Sequence, residues 1–407
     1  MDRVVVTGMH AITPIGDEWE AVAGRLRTGE TGICHMADWE KYEGLNTRLA
    51  APVQFVQPAH YSRKQMRSMG RVALMATRAT ELALAQAGLL EDADIQSGSM
   101  GVAYGSSSGS PPAIQDFGRM LLEHNTAGLN ANSYIKMMAH TAPVNLAVFF
   151  GLKGRVYTTS SACTSGSQGI GYAFEAVRAG KQRFMVAGGA EELCATQAAV
   201  FDTLFATSVR NDTPHLSPQP FDVARDGLVI GEGAGTLVLE NLDSAQARGA
   251  TIYAEVAGYG TNADGSHVTQ PNSQTMEAAM RLALADADLP PEAIGYISAH
   301  GTATDRGDIA ESHATMRVFG GSTPISSLKS FTGHTLGACG AIEAWAAIQQ
   351  MNRGWFHHTQ NLATPDPECA ALDYIQREPR LLDCEYIMSN NFAFGGINTA
   401  LIFKRWA

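Results

Sequence analysis

Short apolar runs alternate along this chain with longer amphipathic stretches. VVVTG, GVAYG, RFMVAGG, GTLVLE, IYAEVAGYG, YISAHG, YIMSNN and ALIFK read as strands. GRVALMATRATELALAQAG and TMEAAMRLALADADL read as helices, and in the second Met276, Ala279, Met280, Ala283 and Leu284 fall on one stripe. Strands and helices in alternation predict an α/β architecture whose helices cover the sheets.

The pattern also echoes itself. RVYTTSSACTSGSQGIGYAFEAVRAG runs strand, small-residue turn, helix, and TPISSLKSFTGHTLGACGAIEAWAAIQQMNRG repeats that order in the second half. RFMVAGGAEEL at 183–193 and EYIMSNNFAFGG at 385–396 are both strands that end in a glycine-rich turn. Two halves of similar plan, 1–250 and 251–407, packed as one body, account for these echoes.

Composition narrows the class. The 407 residues are 45% hydrophobic and 17% charged, which is ample for a large core. A net charge of −11 argues against a general nucleic-acid binder, whose footprint is basic. Neither a signal peptide nor an apolar window long enough to cross a membrane is evident, so a soluble, cytoplasmic protein is expected. Cys34, Cys163, Cys194, Cys339, Cys369 and Cys384 show no paired spacing. Apart from Cys163 they read as buried free thiols of a reducing compartment.

Three reactive side chains stand among small residues: Cys163 in SACTSG, His300 in YISAHGTATDRGD and His334 in SFTGHTLGACG. Cys163 falls near a strand-to-helix turn, where free backbone N–H groups and the helix dipole favour a thiolate and can hold an oxyanion. Taken alone, it reads rather as a small buried cysteine packed against the strand. Both histidines follow apolar runs and precede glycine-rich turns, so both are expected at strand ends, where sites gather in α/β sheets. Two neutral imidazoles aimed at one oxygen stabilise an enolate. Lys329 can pair with Glu343 and brace the His334 segment; the alternative is a surface ion pair of little consequence.

ACTSG, HGTATDRGD, KSFTGHTLGA and NNFAFGGIN, in this order and spacing, resemble the motif blocks of the β-ketoacyl-[acyl-carrier-protein] synthases. The likeness runs from RVVVTGMHAITPIG through VAGGAEE to GGINTALIF, so it spans nearly the whole chain. It implies a thiolase-like fold with a duplicated αβαβα core, and a homodimer. It also implies that Cys163 is the nucleophile that carries the acyl chain, and that His300 and His334 hold the malonyl thioester carbonyl. The backbone N–H groups of Cys163 and Phe394 then form the oxyanion hole. Lys329 and Glu343 support the histidines, and Thr302 and Thr304 contact the phosphopantetheine arm. Phe392, Ala393 and Phe394 form a gate, Ser108 and Phe201 belong to the acyl pocket, and Arg63, Lys64 and Arg67 receive the acidic acyl carrier protein. No resident cofactor or metal is implied, since the substrates arrive on the phosphopantetheine of the carrier.

The departures from the family pattern matter. Ala393 stands where the gate has glycine, Ile397 replaces a threonine, and Asp305-Arg306 replaces Pro-Ala. Ser108 replaces a bulky apolar residue, and Phe205 lies where a basic residue helps dock the carrier. The chain lacks the second catalytic cysteine of a thiolase, and it keeps the nucleophile that a non-catalytic chain-length partner subunit lacks. The altered gate and pocket lean the expectation slightly from housekeeping fatty-acid synthesis toward a specialised polyene or aryl-polyene lipid, where a heterodimer with a related ketosynthase-like subunit is the alternative assembly.

Overall fold

The computed structural model describes residues 2–406. Eleven strands share the main sheet, and they are numbered here in chain order. The first half contributes β1 (Val4–Ile12), β2 (Met100–Gly105), β3 (Val156–Thr158), β4 (Phe184–Glu191) and β5 (Gly233–Asn241). The second contributes β6 (Ala254–Ala263), β7 (Ile294–Ser298), β8 (Pro324–Ser326), β9 (Asp373–Tyr374), β10 (Tyr386–Phe392) and β11 (Ile397–Arg405). Their order is β9-β8-β7-β10-β11-β6-β1-β5-β4-β2-β3.

That order is one plan used twice. β1-β5-β4-β2-β3 in the first half matches β6-β11-β10-β7-β8 in the second, with β9 added at one end. In each half the three strands farther from the junction run parallel, and the pairings nearer to it are antiparallel. The halves join where β1 pairs with β6 over only three residues, Val4 to Val6 against Val256 to Ala254.

Two helices lie between the half-sheets, and their composition shows it. All residues of Cys339–Met351 are buried, as are all but three of Ser165–Arg178. A helix that is apolar or small on every side belongs inside. Outside, Arg71–Gln86 covers the first half-sheet and Ser273–Ala287 the second. The latter buries Met276, Ala279, Met280, Ala283 and Leu284, the stripe legible in its sequence. The layers therefore run αβαβα, the duplicated core expected from the sequence. β4 is buried along its whole length because helices cover both of its faces.

The small residues after Cys163 allow the two central helices to start against each other. A side chain on Gly166 would meet the Ala341 nitrogen at 2.9 Å, one on Gly340 the Ser167 nitrogen at 2.7 Å, and one on Gly189 the Gly337 carbonyl oxygen at 2.1 Å. The first task of these small residues is backbone-to-backbone packing at the centre of the molecule.

Candidate active site

The two central helices begin alike. After β3 the chain reaches Ala162 at φ +54°, makes a single 3-10 turn over Ala162–Thr164, and enters the helix at Ser165. In the second half Leu336 takes φ +47°, the 3-10 turn spans Leu336–Ala338, and the helix begins at Cys339. Cys163 and Gly337 are therefore matching residues of the repeat. Hydroxyls brace the first turn: Thr159 Oγ1 donates to the Ser165 carbonyl at 2.9 Å, Ser165 Oγ to Ala162 at 2.7 Å, and Thr164 Oγ1 to Ser161 at 2.8 Å.

Cys163 is buried at the bottom of a cavity of about 590 Å³. Its own N–H and that of Phe394 lie near enough to its sulfur to favour the anion. Burial pushes the thiol up to about 11, although Lys329 and these two N–H groups pull the other way. The resting residue is thus a thiol, which corrects the thiolate expected from its place at the helix start: the helix terminus is too deep in the protein for its field to offset desolvation.

His334 Nε2 lies 3.0 Å from Cys163 Sγ. The Leu336 N–H donates to the other ring nitrogen, Nδ1, at 3.2 Å. Burial first, then the charge of Lys329, holds this imidazole well below its usual pKa, so it is neutral. A neutral ring that accepts at Nδ1 carries its proton on Nε2. His334 therefore donates a hydrogen bond into the cavity, which also suits it better to an oxygen than to a metal ion. It does not sit at a strand end, as expected, but after the helical turn Lys329–Thr332. Its carbonyl accepts from the Gly231 N–H at 2.9 Å and its N–H donates to Val229 at 2.6 Å.

His300 does follow a strand, two residues beyond β7. Its N–H and that of Gly301 donate to the two carboxylate oxygens of Glu311, each at 2.7 Å. Burial, then Lys329 and His334, keep it neutral as well. The two imidazoles meet edge to face with centroids 5.2 Å apart. Cys163 Sγ and one nitrogen from each ring all lie within 4.8 Å of one another. Residues far apart in the chain thus converge on a volume that fits one thioester carbonyl.

Lys329 and Glu343 are no surface pair. Nζ and Oε1 stand 2.5 Å apart with side chains only 1% and 2% exposed, and Asn391 Nδ2 donates to the other carboxylate oxygen at 2.7 Å. Thr302 and Thr304 line the cavity with their hydroxyls 2.9 Å apart. Phe392 and Phe394 also line it, and Phe394 packs against Phe201 with ring centroids 4.8 Å apart and planes tilted by 40°. Ala393 adopts no left-handed conformation; the two glycines after it do, at φ +87° and +72°. Ile397 helps set this loop, since its carbonyl accepts the Ala393 N–H at 2.8 Å.

Other expected residues lie elsewhere. Ser108 does not line this cavity: Gln197 Nε2 donates to its hydroxyl at 3.2 Å, and Gln197 in turn binds Glu191 at 3.1 Å. Its small side chain belongs to a polar network behind the site because a buried carboxylate there needs donors. Arg63 and Lys64 lie on the exposed helix Arg63–Met66, with Arg67 at its end, and none of the three lines the cavity.

The supporting acids escaped the sequence reading. Glu311, pushed up to about 8 by burial, orients His300. Asp308, pushed up to about 6, accepts the N–H groups of Thr302 and Ala303 at 3.0 and 3.2 Å and has Arg225 beside it. Their signal is the spacing in HGTATDRGDIAE: both acids lie three residues apart on the helix that follows the histidine turn, facing back toward it.

The N-terminal domain model of the beta-ketoacyl synthases matches residues 1–245 and the C-terminal domain model residues 253–363. A 3-oxoacyl-[acyl-carrier-protein] synthase 1 of Escherichia coli K12 is 36% identical over 100% of this chain and 99% of its own. The crystal structure of a beta-ketoacyl synthase from Burkholderia phymatum STM815 is 58% identical with a TM-score of 0.99, covering all of both chains. The ishigamide ketosynthase/chain length factor is 32% identical with a TM-score of 0.90, again over both full chains.

Proposed function

The chain belongs to the β-ketoacyl synthase family and is a condensing acyltransferase of the 3-oxoacyl-[acyl-carrier-protein] synthase type; on that footing we propose that it extends a carrier-bound acyl chain by decarboxylative condensation in fatty-acid synthesis. The observation that carries the assignment of roles is the convergence of Cys163 Sγ with the two imidazoles, one of which has its donor proton fixed.

In the first step Cys163 attacks the acyl thioester carbonyl, and the oxyanion is held by the N–H groups of Cys163 and Phe394. The tetrahedral species collapses with expulsion of the carrier thiol, which takes the proton that Cys163 loses. In the second step the malonyl thioester carbonyl accepts hydrogen bonds from His300 and from His334 Nε2. The bond to the carboxylate breaks, carbon dioxide leaves, and its electron pair becomes the enolate. That carbon attacks the acyl-Cys163 carbonyl, the sulfur leaves as a thiolate and takes a proton from water, and the β-ketoacyl product departs on the carrier, two carbons longer. No cofactor enters this balance, because the thioester activates both partners. Arg63, Lys64 and Arg67, exposed on one short helix, offer the acidic carrier a basic patch.

The protein acts in this reading as a cytoplasmic homodimer. β3 is an open sheet edge with Val156 exposed, and Leu121, Leu122, Tyr134 and Val148 on the preceding helices are exposed as well. No helix among the described residues is long and apolar enough to cross a membrane.

A second reading is a conjugated polyene or aryl-polyene chain made by a heterodimer; the likeness to the ishigamide ketosynthase/chain length factor supports the heterodimer. Carrier proteins loaded with saturated or conjugated chains, followed by mass measurement of the Cys163 adduct, separate the two. Adducts only with saturated chains sink the second reading. The shared mechanism has its own test: Cys163→Ala should abolish condensation yet still release carbon dioxide from malonyl carrier. Condensation that survives the substitution refutes the role given to Cys163.

A further inference from the structure

The repeat of the two central turns leaves one buried carboxylate without a task. Cys163 and Gly337 are matching residues of those turns, and Cys163 fills the first with its thiol. In the second the equivalent space is taken from outside: a side chain on Gly337 would meet the Ser107 nitrogen at 2.8 Å and Glu191 Oε2 at 2.9 Å. Glu191 closes β4, is 0% exposed, and takes no part in the steps above. Its Oε2 accepts the N–H of Gly337 at 2.9 Å and that of Ser107 at 2.8 Å, while Oε1 accepts from Gln197 Nε2 at 3.1 Å. Where the first turn presents a reacting group, the second therefore holds a fixed acceptor.

The turn it holds is the one that places a proton. Leu336 stands at φ +47°, a left-handed conformation that a branched side chain keeps only where its neighbours over-determine it. The Leu336 N–H donates to His334 Nδ1 at 3.2 Å, and the next N–H along the chain, that of Gly337, is the one Glu191 binds. Ser107 belongs to the loop after β2, so the carboxylate ties this turn of the second half to the sheet of the first. Both backbone N–H groups share the single oxygen Oε2, so a proton taken up on Oε1 leaves them bound. Glu191 does not line the cavity, and its effect on the chemistry passes through the turn.

We propose that Glu191 is a positioning residue for the condensation: it clamps the Leu336–Ala338 turn and thereby keeps the proton of His334 on Nε2, facing the cavity; this rests on the donor role given to His334 above. A loosened turn withdraws the Leu336 N–H from Nδ1, and the ring is then free to carry its proton on either nitrogen.

Glu191→Gln, equal in shape, tests it. An amide cannot offer acceptors both to the two backbone N–H groups and to Gln197 Nε2, so one donor is left facing another. Carbon dioxide release from malonyl carrier should slow by roughly tenfold, short of the 10²–10³ that follows outright loss of an oxyanion donor. Acylation of Cys163, followed by mass, should keep the native rate, because that step leaves the His334 proton in place. Nitrogen NMR of isotope-labelled histidine rings reads the tautomer directly from the signals that vanish in His334→Gln. They should show the proton on Nε2 alone in the native protein and shared between both nitrogens in Glu191→Gln. Glu191→Gln combined with Gln197→Glu again places an acceptor opposite each donor, and it should recover both the rate and the native tautomer; this pair also carries the test if Glu191→Gln fails to fold. The proposal is overturned by a native His334 protonated on Nδ1, by native tautomer and rate in Glu191→Gln, by equal slowing of acylation and decarboxylation, or by an exchanged pair that recovers neither quantity. An unaltered protein that releases no carbon dioxide from malonyl carrier would instead bring down the condensing reaction itself, with the tautomer still readable.

Discussion

Lys329→Met should weaken both the fold and the chemistry, and a second substitution should separate the two. In the native protein Lys329 and Glu343 form an ion pair with side chains 1% and 2% exposed. Removing one partner of such a pair costs about 3–5 kcal/mol, because the other is left buried and charged or must take up a proton. With an unfolding entropy of roughly 2.1 cal/mol/K per residue, that loss lowers Tm by about 4–6 °C for a chain of this length. Lys329→Met combined with Glu343→Gln removes both charges while leaving an oxygen to accept from Asn391. Stability should then return to within about 1 kcal/mol of the native value, since a neutral pair escapes the desolvation cost. The rate should not return. Burial keeps His300 and His334 neutral, Lys329 is the one cation that adds to this for both, and its positive charge favours the enolate. Loss of a preorganised charge of this kind costs on the order of 10²-fold in rate. Differential scanning calorimetry gives the first quantity, and carbon dioxide release from malonyl carrier gives the second. A double variant that recovers rate along with stability would show that Lys329 only props up the loop.

Decarboxylation should stay flat from pH 8 down to about 6, because burial holds both imidazoles below the usual histidine range; a titration near 6.5 in the rate profile speaks against neutral donors. Acyl transfer to Cys163 should instead keep climbing above pH 9, toward its pKa of about 11, and a plateau below pH 8 by stopped-flow acylation contradicts the buried thiol. Glu311 carries a folded pKa raised from 4.5 to about 8. The stability it contributes is complete below 4.5 and is lost as pH rises through 8. Glu311→Gln should accordingly flatten the fall of Tm between pH 6 and 9, and an unchanged slope counts against the assignment. Gly189→Ala places a methyl 2.1 Å from the Gly337 carbonyl oxygen, between backbones that have no room to part. Its soluble yield should fall steeply, and a native-like melting curve would mean that the central helices are not packed as described.

Much of this was legible in one dimension because it depends on local periodicity. The stripe on Ser273–Ala287, the strand runs and the echo of strand, small-residue turn and helix all reflect which face of an element must be buried. Cys163, His300 and His334 could be singled out because each reactive side chain is set among residues too small to crowd it. Glu311 and Asp308 were missed, since a polar helix start looks the same whether it faces water or turns inward to hold a loop. Ser108, given to the acyl pocket by the family resemblance, stands outside the Cys163 cavity and binds Gln197.

The sequence by itself determined the class of fold, its duplication and the chemical types gathered at the site, because hydrophobic period and residue chemistry are properties of short stretches. Tertiary structure alone decided the protonation states and the direction of each proton. Burial at the meeting of the two central helices raised the Cys163 thiol, lowered both imidazoles, made Lys329 and Glu343 a buried pair, and through the Leu336 N–H left the proton of His334 on the nitrogen facing the sulfur. Desolvation of this kind depends on bringing the two halves together, as where His334 meets Cys163 across 171 residues of chain, and no local pattern encodes it.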